Sequence, residues 1–183
     1  MPEETVIRQC APTLAGIKTG SLFSCQFDDK NQVMEEIRQF NKKFVSRGLC
    51  LIPMRFDERR VLLYLYRPAG LRKDLQDEMA RQVLEQEGYP LTNSNKCIAR
   101  LIRRLQRQQQ FPHEIGLFLS YPPEDVIGFI NNNAGNYKYC GTWKVYGDVN
   151  RALDTFARYR KCTESYLKRW SEGVNIEKLA VSC

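Results

Sequence analysis

The chain is expected to fold as an α+β or three-layer α/β domain, with about five strands in a mixed sheet and about six flanking helices. Three observations predict this. Short apolar runs with near period-two alternation recur along the chain, as in Ser21–Phe27 (S-L-F-S-C-Q-F). Between them lie apolar stripes at the three- and four-residue spacing of helices. Two of the strand-like runs are joined only by Phe56-Asp57-Glu58-Arg59, a connection that makes a β-hairpin and excludes a purely parallel sheet.

Each element has its own signal. Ser21–Phe27 gives a first strand, and Asp28 or Asp29 caps the helix after it, with Gln32 completing an imperfect capping box. Val33, Ile37, Phe40 and Phe44 share one face of that helix, and Gly48 ends it. Leu49–Met54 and Arg60–Tyr66 form the hairpin, closed by Pro68 and Gly70. A helix from about Leu71 turns Leu75, Met79 and Val83 inward and stops at Gly88. Asn93 or Ser94 caps another that runs to about Gln109.

Phe111–Leu119 reads as a buried strand, and a helix follows over Glu124–Asn132. The loop N-N-A-G-N-Y-K-Y-C-G leads to a short strand at Thr142–Tyr146. Asp148 then caps the longest helix, whose stripe is Val149, Ala152, Phe156, Tyr159, Thr163, Tyr166 and Trp170. No repeat, low-complexity segment or linker interrupts the 183 residues, so a single domain over 1–183 is expected.

Composition narrows the function classes. No apolar run reaches the roughly 18 residues of a membrane span, and Met1-Pro2-Glu3-Glu4 lacks the apolar core of a signal peptide. A cytoplasmic protein is therefore expected. Seven cysteines occur without a C-x-x-C pair, which argues against a disulfide framework and for packing roles such as those of Cys25 and Cys50 in strands. The net charge of +7 favours phosphate-bearing partners without deciding the fold.

Four features carry candidate chemistry. Pro12 suits the first position of a short helix, which would place Cys10 at its electropositive end and favour the thiolate. His113 is the only histidine. With Glu114 orienting it, His113 could serve as general base to a Cys10 nucleophile acting on an acyl or thiol substrate. Cys10, Cys140, Cys162 and His113 are suitable metal ligands, but none has zinc-finger or iron–sulfur spacing, so only folding could gather them. On the helix after Asn93, the stripe Ile98, Leu101, Ile102 and Leu105 is opposed by Arg100, Arg103, Arg104 and Arg107, a face able to hold nucleic acid or an acidic partner. The Asn- and Gly-rich loop from Asn131 to Gly141 tolerates left-handed backbone and lies beside the Glu124-Asp125 helix start, whose N–H groups favour an anion.

Two matches fail. Lys18-Thr19-Gly20 lacks the S-x-x-K that accompanies it in penicillin-recognising enzymes. No G-x-G-x-x-G or phosphate loop occurs, and nothing in the sequence names a cofactor.

C-A-P-T-L-A-G-I-K from Cys10, the L-Y-R-P run ending at Arg67-Pro68, F-P-H-E-I-G-L-F-L-S-Y-P-P-E-D-V-I-G-F-I from Phe111, and W-K-V-Y from Trp143 resemble the bacterial family called domain of unknown function 3793. The resemblance covers nearly the whole chain and implies a single-domain bacterial protein. It carries no activity, cofactor or catalytic assignment. It does draw attention to Cys10, Lys18, His113, Glu114, Glu124, Asp125, Cys140 and Lys144, which lie in the matched blocks.

The leading expectation is a small-ligand protein, binding an anion or a metal-linked group. Its pocket would join the Cys10–Lys18 turn, the ends of the His113 strand and the Cys140 loop. Lys18 and Lys144 would supply positive charge and Tyr121 a stacking surface. A cysteine-dependent enzyme built on Cys10 and His113, and a basic interaction module built on the arginine face, are the alternatives.

Overall fold

The computed structural model describes residues 2–107 and 111–182. In chain order its elements are α1 (Glu3–Leu14), β1 (Gly20–Gln26), α2 (Lys30–Phe44), a 3₁₀ turn (Val45–Arg47), β2 (Cys50–Phe56), β3 (Arg60–Tyr66), α3 (Pro68–Asp74), α4 (Glu78–Gln86), α5 (Ser94–Arg107), α6 (Ile115–Phe118), α7 (Pro123–Asn131), β4 (Tyr139–Cys140), β5 (Lys144–Val145), α8 (Val149–Ser171) and α9 (Ile176–Leu179). They gather into two compact units. One comprises residues up to 70 together with those from 159; the other is the continuous stretch 71–158. The chain is thus mixed α and β, but its strands form a sheet of three and a sheet of two rather than one of about five.

The first unit is built on an antiparallel sheet of order β1-β3-β2. Its middle strand, β3, is apolar on both faces, and from Leu63 to Tyr66 both faces are buried. Leu63 and Leu65 enter the core with Val6, Ile7, Cys10 and Leu14 of α1 and with Ile37, Phe40 and Phe44 of α2. On the opposite face Tyr64 and Tyr66 stack at 4.8 Å. Pro53 is tolerated because β2 is an edge strand with a bulge at this point. Asp29 caps α2 through the Asn31 N–H, and Gly48 ends the following turn with a φ of 73°.

Two arginines close this unit. Buried Arg67 donates to the carbonyls of Thr13 and Leu14 at the end of α1, to Arg47, and to Val181. Its cation therefore meets the electronegative end of a helix whose last carbonyls need donors. Arg47 does the same for α9, donating to Glu177 O and Ala180 O.

In the second unit, the helix expected to continue from Leu71 past Met79 is broken in two. Asp77 caps α4 by accepting from Ala80 N, and Met79 is left 40% exposed. Phe111–Leu119 was expected to be a strand and contains the short helix α6 instead. Its apolar run is too brief for periodicity to separate the two. Asn93 accepts from Asn95 N and starts α5, while its expected end at Gln109 lies outside the described residues. Among the described residues, no helix is long and apolar enough to cross a membrane.

Candidate functional site

The site begins with a buried carboxylate. Pro123 opens α7 and brings Asp125 into its first turn, 3% exposed. One oxygen of Asp125 accepts from Trp143 Nε1 at 2.7 Å. The other accepts from the backbone N–H groups of Tyr146 and Gly147, each at 2.7 Å. Three donors on one carboxylate fasten the β4–β5 hairpin to α7. Asp125 is thus engaged by the hairpin, and Glu124 packs beside Gly147.

The hairpin positions the rest. Trp143 stacks on Tyr121 at 4.9 Å and meets the Phe156 ring edge-on at 4.5 Å. Burial pushes the Tyr121 phenol above its ordinary range, so it stays neutral at physiological pH. Gly141 lies where any side chain would collide with the Phe156 ring, which makes a glycine necessary there. In β4–β5, Cys140 and Lys144 are directly opposed across the two strands, placing their side chains on one face with Cβ atoms roughly 5 Å apart.

The preceding loop is held in a rare conformation. Asn133, Ala134 and Asn136 have φ of 48°, 62° and 55°, which for alanine is unfavourable without support. Lys144 Nζ donates to Ala134 O at 2.7 Å and Tyr146 Oη to Gly135 O at 2.9 Å, which supplies it. Lys144 Nζ also lies 4.7 Å from the Tyr137 ring centroid and 5.8 Å from that of Phe129. Among the described residues its partners are a carbonyl and two rings. His113 approaches the same Phe129 ring, with centroids 5.0 Å apart.

These elements enclose a cavity of about 370 Å³. Its walls are mainly Phe129, Trp143, Tyr121, Phe111, Ile115 and Leu119; His113, Asp125, Cys140, Thr142 and Lys144 bring polar atoms to it. A volume of this size fits a small molecule of one or two rings. Of the residues expected from the sequence, His113, Tyr121, Asp125, Cys140 and Lys144 meet here. Phe129 and Trp143 were missed as walls. The signal for Phe129 was present, since it follows Asp125 and Val126 by four and three residues on one helix.

Four expectations change. Cys10 lies deep in α1, which begins near Glu3 and carries Pro12 in its last turn rather than its first. The thiol is wholly buried, and burial raises its pKa far above the ordinary 9.0, so it is not the activated nucleophile proposed from the sequence. Lys18 belongs with Cys10 to the first unit; burial lowers its pKa to about 8, partly offset by Cys10. Glu114 does not orient His113. It is 2% exposed, accepts from Tyr89 Oη at 2.7 Å and pairs with Arg104 Nε at 3.0 Å. Arg104 is further held by Glu87 at 2.6 Å, which removes it from the arginine face, and Arg100 is half-buried; Arg103 and Arg107 remain exposed. Among the described residues, no three His, Cys, Asp or Glu side chains gather as metal ligands.

A family model described as Protein of unknown function (DUF3793) matches residues 6–180. The chain belongs to the DUF3793 family. All the cavity walls fall inside that match. No curated protein and no solved structure matches the chain.

Proposed function

We propose that this DUF3793 protein binds a small planar ligand, an aromatic ring system carrying one acidic group, in the cavity between α6, α7 and the β4–β5 hairpin. The observation that carries the reading is the pairing of aromatic walls with an ammonium, Lys144, whose partners among the described residues are a carbonyl and two rings. Stacked Tyr121 and Trp143 and the Phe129 ring supply flat apolar surface, which favours rings over branched aliphatic chains. Lys144 uses one of its three hydrogens on Ala134 O, leaving donors for a carboxylate. Thr142 and His113 can complete the polar end.

The test uses fluorescence. Trp143 and Trp170 are the only tryptophans, so a Trp170→Phe background reports from the cavity alone. Titration with naphthalene-2-carboxylate and 3-benzoylpropionate is expected to quench Trp143 with saturation, and the matching neutral amides to bind more weakly. Lys144→Met is expected to weaken the carboxylates about tenfold, the value of one charge-assisted hydrogen bond, and to leave the amides nearly unchanged. Equal losses for both ligand types would remove Lys144 from the acid-binding role. Absence of saturable quenching by any ring system would end the reading.

A further inference from the structure

Cys140 stands apart from the other described cysteines. Cys10, Cys25 and Cys97 are buried, Cys50 and Cys162 half-buried, and Cys140 alone is exposed. It also lines the aromatic cavity, faces Lys144 across the hairpin, and shares the cavity wall with His113, the chain's one imidazole. Lys144 and His113 converge on the Phe129 ring. A thiol, an imidazole and an ammonium therefore surround the space that a planar ligand would fill.

We propose that Cys140 captures aromatic acids carrying an alkene conjugated to a carbonyl, by adding its sulfur across the double bond. The inference rests on the reading of the cavity as an aromatic-acid site and names the reactive class within it. In the step, the Cys140 thiol proton passes to a ring nitrogen of His113. The Sγ–C bond forms at the alkene carbon β to the ketone, and the π pair moves onto the ketone oxygen as an enolate. The imidazolium then returns the proton to the carbon next to the ketone. Lys144 holds the carboxylate and so sets which alkene carbon meets the sulfur. The addition is redox-neutral and needs no other reactant.

Soft thiol nucleophiles prefer such alkenes, and a stacked ring fixes the approach. Cys10, beside half-buried Lys18, has no access of this kind, since it has no exposed surface.

The probe is trans-3-benzoylacrylate, with its saturated relative 3-benzoylpropionate as the non-reactive control, both applied to the full chain. Intact-mass measurement is expected to show one adduct, and peptide mapping to place it on Cys140. The rate should saturate with probe concentration and exceed that of glutathione by about tenfold or more, as binding before reaction requires. His113→Gln should slow addition by about tenfold or more without weakening binding of 3-benzoylpropionate to the same degree. Lys144→Met should raise the half-saturating concentration instead.

Adducts spread over several cysteines, or a rate strictly linear in probe and equal to that of glutathione, overturn the capture step. If 3-benzoylpropionate still quenches Trp143 with saturation, the binding reading survives that result. If neither compound binds with saturation, both fall together. An unchanged rate in His113→Gln removes the proton transfer and with it the step as written.

Discussion

Asp125 is a side chain whose loss should be felt beyond its own position. Its carboxylate is buried and accepts from Trp143 Nε1, Tyr146 N and Gly147 N. An asparagine would keep one carbonyl oxygen but turn an NH₂ group toward hydrogens that need an acceptor. Buried donors left unmatched cost about 1–3 kcal/mol each, and relaxation recovers part of that. Asp125→Asn is therefore expected to lower the unfolding free energy by about 2–4 kcal/mol, and to shift Trp143 emission as the indole loses its partner. Urea unfolding followed at both tryptophans checks it. A change below about 1 kcal/mol would mean that side-chain packing, not the carboxylate, holds the hairpin on α7. The same result would weaken any argument that Cys140 and Lys144 sit on a rigid support.

At the scale of elements, α5 shows how one helix divides its charges. Arg104 lies against Glu87 and Glu114, with Tyr89 bonded to Glu114, and its side chain is 14% exposed. Arg103, one residue earlier, is exposed and bonds the Ala99 carbonyl of its own helix. Removing Arg104 strands the buried Glu114 carboxylate, so Arg104→Met is expected to destabilise by about 3 kcal/mol, whereas Arg103→Glu should change stability by less than about 0.5 kcal/mol. Comparing the two urea midpoints decides whether the helix uses its arginines inward. The sequence reading of four equivalent arginines failed because periodicity identifies a face without identifying what covers it. The same limit explains α6. Phe111–Leu119 is apolar enough for either state, and only the surrounding chain decides. By contrast β1, α2, the β2–β3 hairpin, α7 and α8 were legible because capping residues, hairpin length and stripes agreed with one another. The start of α1 was not, since Pro12 reads as a helix opener and sits in the closing turn.

For the whole molecule, the candidate site was half legible for a physical reason. Rare polar residues mark themselves in a sequence, so His113, Cys140 and Lys144 could be nominated one by one. What brings them together is a hairpin of two-residue strands clamped by Asp125, and neither strand is long enough to show a period. Cys10 and Lys18 were nominated by the same logic and belong to the other unit, where burial rather than a cavity defines them. That burial should appear in the stability of the whole chain against pH. Lys18 has its pKa lowered from 10.5 to about 8, first by burial, with Cys10 opposing. As pH rises toward 8 the folded chain releases the Lys18 proton that the unfolded chain still holds, so Lys18 makes stability rise with pH. Well below pH 8 both states are protonated and the penalty of a desolvated ammonium is present in full. Cys10, Cys25, Cys97 and Cys162 all have their pKa raised by burial, so the folded state keeps protons that unfolded thiols lose. Unfolded thiols begin to lose them about one unit below their ordinary pKa, so beyond about pH 8 several thiols outweigh one lysine and stability should fall. Urea midpoints from about pH 6 to 10, under a thiol reductant, are expected to pass through a shallow maximum near about 8. Lys18→Met should raise the midpoint at the acid end and abolish the rise, leaving the fall in place. A Lys18→Met profile parallel to that of the native chain would show that Lys18 is solvated in the folded state.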